Sequence, residues 1–231
     1  MHDRRDIGHS FTGKHAFLCA LAGPLDGERV LDLGCGIGWL EDFALREGCT
    51  GVVGVDSDEV RLDRARAAAP AAVFVNADAT ALPGDLGSFG VVAMFDFVEH
   101  LPQGQVSLVL REAVKMLEPD GRLLISVPYR GLISTMLDAT FYFGHRHYKV
   151  TDVAALLAAM DYRVVRVFYG GGLWEHVSML WLYFFKWVLA REMPGADFLE
   201  KRRRREYRHP RALPRSASAT MFVEAARAGA R

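Results

Sequence analysis

Three cysteines in 231 residues are too few, and odd in number, for a closed disulfide framework. Cys19, Cys35 and Cys49 also lack metal-ligand spacing. A reducing cytosol is the simpler setting for such a chain, so a cytoplasmic protein is expected. Net charge is missing as well, because 28 Lys plus Arg balance 28 Asp plus Glu. That balance gives no general attraction to nucleic acid, and no nucleic-acid partner is expected. Long apolar runs are absent too. The greasiest stretch, residues 173–190, is interrupted by Glu175, His176 and Lys186, too polar for a spanning helix. The charged start, residues 1–14, carries no apolar segment of the kind a secretory signal needs. What is present is the material of a folded domain: 51% hydrophobic and 24% charged residues.

Short apolar runs alternate with helical stretches over the first two-thirds of the chain. Strands are expected at residues 29–33, 51–55, 73–75, 91–95, 122–127 and 163–168, with a last one at 220–225. Between them, residues 37–46, a stretch to about Ala69 capped by Ser57 or Asp56, 103–117, and 151–160 capped by Thr151 read as helices. Glu118-Pro119-Asp120-Gly121 reads as a turn. Strands alternating with helices make a parallel sheet covered on both faces, a doubly wound Rossmann-like α/β fold. One domain is expected: an N-terminal helical cap at 1–28, a core at 29–168, an insertion at 170–217 and a final strand at 218–226.

Gly34, Gly36 and Gly38 stand between the first strand and the first helix of that core. A turn there needs tight backbone, close approach to a ligand and free N–H groups at a helix start. The dinucleotide fingerprint needs a glycine at position 39, where Trp39 stands. The spacing G-x-G-x-G therefore speaks against a nicotinamide oxidoreductase. Asp56, with Ser57 beside it, lies past the second strand, where a carboxylate can accept from both hydroxyls of a ribose. Asp78 lies past the third, where it can accept from an adenine amino group.

The runs V-L-D-L-G-C-G-I-G at 30–38, V-V-G-V-D at 52–56, N-A-D-A at 76–79, F-D-F-V-E-H-L at 95–101 and L-E-P-D-G-R-L-L-I-S-V-P at 117–128 together resemble the class I S-adenosylmethionine-dependent methyltransferases. They are most similar to the small-molecule branch that includes the ubiquinone and menaquinone biosynthesis enzymes, and the likeness covers about residues 28–168. It implies a seven-stranded sheet whose last strand is antiparallel, with a helical lid between strands 6 and 7. It also implies S-adenosyl-L-methionine as cofactor. Asp32 and the backbone of Gly34, Cys35, Gly36 and Gly38 would hold its methionine part, Asp56 and Ser57 its ribose, Asp78 and Ala79 its adenine. Phe95 and Asp96 would line the pocket beside the sulfonium.

Two clusters are candidates for handling a methyl acceptor. Asp96, Glu99 and His100 share one face if their segment is helical. A comparable arrangement in the resembling ubiquinone enzymes has been linked to a divalent metal; here the cluster reads as a loop junction, and no metal is assigned. The second is Gly144-His145-Arg146-His147-Tyr148. There His145 or His147 can deprotonate an acceptor near neutral pH and Tyr148 can orient it. In the insertion, Glu175, Ser178, Leu182 and Lys186 share a narrow helical face against a broad apolar one, and Lys201 with Arg202 to Arg205 follow. Such a segment is a lid, a dimer contact, or an anchor to an anionic membrane surface through 173–215. The expected function is methyl transfer to a small lipophilic acceptor, the lid aromatics Phe141, Tyr142, Phe143, Trp174 and Trp181 motivating the last adjective. A non-catalytic cofactor-binding scaffold is the alternative.

Overall fold

Seven strands, β1 (Arg29–Leu33), β2 (Gly51–Asp56), β3 (Val73–Asn76), β4 (Phe89–Phe95), β5 (Leu117–Pro128), β6 (Tyr162–Gly170) and β7 (Thr220–Arg227), form one sheet in the order β3-β2-β1-β4-β5-β7-β6. The computed structural model describes residues 12–138, 141, 144–191 and 194–229. Expectations placed on residues 1–11, and on Tyr142 and Phe143, lie outside them. The first five strands run parallel, and β7 pairs antiparallel with both β5 and β6. This is the expected doubly wound sheet with a reversed last strand.

Both faces of the centre are covered, which is why β4 is buried at all seven positions. Side chains alternate between two cores along it. Val92 and Met94 join one with Leu31, Leu110 and Ile125, while Val91, Ala93 and Phe95 join the other with Leu18, Leu40 and Phe222. The sheet order reverses between β1 and β4, so the loops leaving these two strands diverge and leave a crevice at their C-terminal ends.

The helices are α1 (Gly13–Ala22), α2 (Trp39–Arg46), α3 (Glu59–Ala68), α4 (Gln103–Lys115), α5 (Leu132–Leu137), α6 (Val150–Ala158), α7 (Leu173–Tyr183) and α8 (Ala196–Tyr207). Three local expectations change. Asp58, rather than Ser57 or Asp56, caps α3, its carboxylate accepting from the N–H groups of Val60 and Arg61. Thr151 lies inside α6. Lys149 is the cap, and Asp152 closes it by accepting from the Lys149 N–H at 2.8 Å. Residues 118–121 are not a turn between elements but a bulge in β5. Leu117 pairs with Phe89 and Arg122 with Val91, so four residues stand opposite Gly90 alone.

Two helices, α7 and α8, joined through a π-helical turn (Phe184–Val188), fill the insertion between β6 and β7. The narrow polar face of α7 is the buried one. Glu175, His176 and Ser178 are buried, while Leu173, Leu180, Trp181, Phe184 and Val188 are exposed. The reason lies in what α7 meets: Glu206 of α8 accepts from the Trp174 and Glu175 N–H groups at 3.0 Å each, and Arg203 makes a two-point ion pair with Glu175 at 2.6 and 2.8 Å. A buried face rich in partners tolerates polar residues; an apolar one has nothing comparable to satisfy here. In turn α8 lies on α1, with Glu200 accepting from the Gly13 N–H at 2.7 Å and Tyr207 tilted on Phe17 at 5.3 Å.

Candidate active site

The glycine loop hangs on β2, with the Gly34 and Cys35 N–H groups both donating to the Val55 carbonyl at 2.8 and 3.1 Å. Gly34 and Gly38 adopt φ +78° and +80°, the left-handed region that favours glycine. A Cβ at Gly34 would meet the Phe97 ring at 2.3 Å, and one at Gly38 would meet Ala65 at 3.0 Å. No side-chain cap closes the start of α2, the end of a helix that favours an anionic or polar ligand group.

Asp56 is oriented by two backbone donors, Gly36 N–H at 3.0 Å and Asp58 N–H at 2.9 Å. Because Asp58 takes over the helix cap, the remaining lone pairs of Asp56 stay available. Ser57 is exposed beside it. Beneath the loop, Asp32 and Glu41 are buried carboxyls, and among the described residues Asp32 Oδ1 and both Glu41 oxygens have no partner. Burial, reinforced by Asp56, pushes the Asp32 carboxyl up to about 8. Burial and Asp32 together hold Glu41 well above the carboxylate range. Two neighbouring acids out of water cannot both ionise cheaply, and a cationic ligand group would relieve them. Asp78 accepts from the Thr80 N–H and hydroxyl, each at 2.8 Å, and stays exposed at the crevice edge. Ala79 is buried in the core behind it.

At the end of β4, Phe95 is buried in an aromatic pile. His15 stacks on Trp39 at 4.6 Å, Trp39 on Phe95 at 5.8 Å, and Phe95 meets Phe222 at 6.1 Å. Trp39, noted in sequence for not being glycine, thus joins α1 to the sheet. Asp96 has φ +52° and is pinned there by Ser126, whose hydroxyl donates to Oδ1 at 2.9 Å, and by Lys14 at 2.7 Å. Burial alone would lower the Lys14 pKa, but Asp96, Glu99 and Glu175 together raise it. His15 is pushed down to about 4 by burial.

Beyond Asp96 lies a cavity of about 280 Å³. It brings together α1 (Lys14, His15), the β4 end (Asp96, Glu99), Asp138 and His145 from the segment after β5, and α7–α8 (Glu175, His176, Arg203). Glu99 sits on a single 3₁₀ turn, Val98–His100, so it is buried while His100 is exposed. The two acceptor clusters meet here, His100 touching His145 edge to face at 4.3 Å. Burial, then Asp96, pushes Glu99 up to about 8. His147 is buried with both ring nitrogens engaged, to Thr135 at 3.3 Å and Asp138 at 3.0 Å. That is the geometry of a brace. Tyr148 is buried and lines a different cleft. Among the described residues no three His, Cys, Asp or Glu side chains gather so as to hold a metal ion.

His176 escaped notice in the sequence because it reads as an interruption of an apolar helix. It is buried, hydrogen-bonds to the Ala217 backbone, and burial lowers its pKa. Its Nε2 has no partner among the described residues. Nδ1 therefore carries the proton toward the carbonyl, leaving Nε2 as an acceptor.

Comparison with known proteins agrees with this geometry. A family profile described as "Methyltransferase domain" matches residues 30–121. A ubiquinone biosynthesis O-methyltransferase of Neisseria meningitidis serogroup A is 30% identical over 132 residues, 54% of this chain and 52% of that one. A probable S-adenosylmethionine-dependent methyltransferase of Mycolicibacterium smegmatis is 31% identical over 160 residues, 67% of this chain and 61% of that one. The chain thus spans between half and two-thirds of the length of these curated relatives. The crystal structure of an S-adenosylmethionine-dependent methyltransferase from Mesorhizobium loti shares the fold, with TM-score 0.62 at 20% identity over 94% of this chain and 98% of that one. The chain belongs to the class I S-adenosylmethionine-dependent methyltransferases. Within that class its curated relatives include enzymes of ubiquinone biosynthesis.

Proposed function

We propose that the chain methylates a small, amphiphilic acceptor whose reacting end is polar and whose remainder is lipophilic. The observation that carries the polar end is the pair of buried, unpartnered atoms facing one cavity, Glu99 Oε2 and His176 Nε2. Buried polar atoms without partners are costly, and an acceptor hydroxyl or amine satisfies both. Glu99, protonated at neutral pH, donates; neutral His176 accepts. When bound, the cofactor supplies an activated methyl group and a neutral thioether leaving group. The chain's residues do the rest. Asp32, the loop backbone and Asp56 hold the cofactor, Lys14 and Ser126 fix Asp96 at the crevice, and His176 Nε2 takes the acceptor proton as nucleophilicity develops. His145, at the rim of the same cavity, is a second candidate base.

Alignment supplies most of the acceleration and a base a further ~10²–10⁴-fold. We therefore expect His176→Ala to lower kcat about a hundredfold or more with cofactor affinity unchanged, and His145→Ala to lower it less. Transfer of labelled methyl from S-adenosylmethionine to a panel of alkylated catechols, phenols and amines tests the reading. Titration calorimetry showing tight S-adenosylhomocysteine binding but no transfer to any of them would favour the scaffold alternative.

The exposed stripe along α7 and the π-helical turn that follows it supports a second reading, peripheral membrane contact. Leu173, Leu180, Trp181, Phe184 and Val188 recur at helical spacing, between 40% and 67% exposed. On α8, Phe198, Lys201, Arg202 and Arg205 share a neighbouring face, with the Arg202 guanidinium 5.3 Å from the Trp174 ring. Apolar and basic surface side by side suit an anionic bilayer interface, and no helix of the described residues is long and apolar enough to cross one. Sedimentation with phosphatidylglycerol vesicles tests this; a concentration-dependent dimer that buries Trp181 and leaves vesicles unbound would replace it.

A further inference from the structure

His145 lines the acceptor cavity, whereas Arg146, His147 and Tyr148 line a second cleft, of about 660 Å³, beside α4 and α6. The two share no lining residue. The walls of the second are largely apolar, from Val106 on α4 to Ala155, Leu156 and Ala159 at α6. Its charges are mostly cancelled. Arg130 is paired with Asp152 at 2.8 Å, and His147 with Asp138 at 3.0 Å.

Arg146 is the exception. Its Nε and Nη2 are withdrawn from water and have no hydrogen-bond partner, and among the described residues no carboxylate pairs with it. Its guanidinium stands beside the Tyr148 hydroxyl, a neutral group that leaves the positive charge uncompensated. Arg146 is half-buried, and a guanidinium edge withdrawn from water without a counter-ion is unfavourable in the folded state. The unpartnered atoms are those of one edge, which carries two parallel N–H groups matched to the two oxygens of a carboxylate.

We infer that this cleft binds an apolar carboxylic acid, its carboxylate paired with the Nε–Nη2 edge of Arg146 and its hydrocarbon or aromatic body lying on Val106, Ala155 and Leu156. Binding requires the Arg146 side chain to turn that edge toward the cleft the residue lines. A single uncompensated charge calls for a monoanion, and apolar walls exclude a free inorganic ion. Because His147 lines this cleft and holds Asp138 of the acceptor cavity, an occupant here bears on the wall the two spaces share.

Calorimetric titration with decanoate, decanol and decyl phosphate tests the assignment. Decanoate saturates one site on the intact chain and binds about tenfold or more tighter than decanol. Arg146→Met and Ala155→Trp each weaken decanoate by a similar factor, with unfolding midpoints that do not fall. Ala155→Trp fills the cleft without touching Arg146 and so tests the site independently. Absence of saturable decanoate binding, equal affinity in both variants, or decanol binding as tightly as decanoate would overturn the proposal. Decyl phosphate binding more tightly would overturn the carboxylate assignment.

Discussion

Glu99→Gln is expected to stabilise this protein at neutral pH, although it alters a buried residue of the candidate site. The side chain of Glu99 is 4% exposed as a residue, and burial with Asp96 beside it raises its pKa from 4.5 to about 8. A carboxyl whose folded pKa is raised binds a proton more tightly in the folded than in the unfolded chain. Its contribution is fully present below the unfolded value, and is lost as pH rises through the folded one. At pH 7 the unfolded chain has Glu99 ionised while the folded chain must keep it protonated, a penalty of about 3 kcal/mol at 1.36 kcal/mol per unit. Glutamine has the shape of the neutral acid and carries no such penalty. Asp96 shares the local charge, so the measured gain is expected at about 1–3 kcal/mol at pH 7, shrinking toward zero near pH 5. Asp32 is raised for the same reason and slopes the stability of both proteins alike, which is why the difference between them isolates Glu99. Urea unfolding at a series of pH values from 5 to 8 measures it. A variant less stable than the wild type at pH 7, or a difference that does not change with pH, would refute the reasoning.

Three further outcomes are expected. Asp56→Ala removes the carboxylate poised between Gly36 and Asp58 and should weaken S-adenosylhomocysteine about tenfold to a hundredfold by calorimetry; undiminished affinity would remove Asp56 from the ribose site. Arg203→Met leaves the buried Glu175 without its two-point partner and should cost about 3–5 kcal/mol in urea unfolding, much of it recovered in the double variant with Glu175→Leu. No recovery would mean the loss is packing rather than stranded charge. Trp181→Glu with Phe184→Glu should abolish sedimentation with anionic vesicles while leaving the unfolding midpoint within about 0.5 kcal/mol of the wild type, as exposed positions allow.

Strand and helix order was legible because each element carries its own period. The loop at 34–38 and Asp56 were legible because their spacing is set within a single β-α-β unit. Errors arose where two local solutions compete. Asp56, Ser57 and Asp58 can each cap the same helix, and only the geometry in which Asp56 reaches back to the Gly36 N–H, twenty positions away, leaves the cap to Asp58. Pro119 and Gly121 look like a turn until β4 is seen to continue alongside. The orientation of α7 was not legible, because amphipathicity says which faces differ without saying which meets the protein.

The sequence by itself determined the sheet and its glycine crevice, since these depend on near-neighbour spacing and backbone sterics. Only the tertiary structure assembles the cavity proposed for an acceptor. Lys14, Glu99, His145, His176 and Arg203 come from five separate segments, and long-range burial alone turns them into one cavity with two unmet hydrogen-bonding atoms.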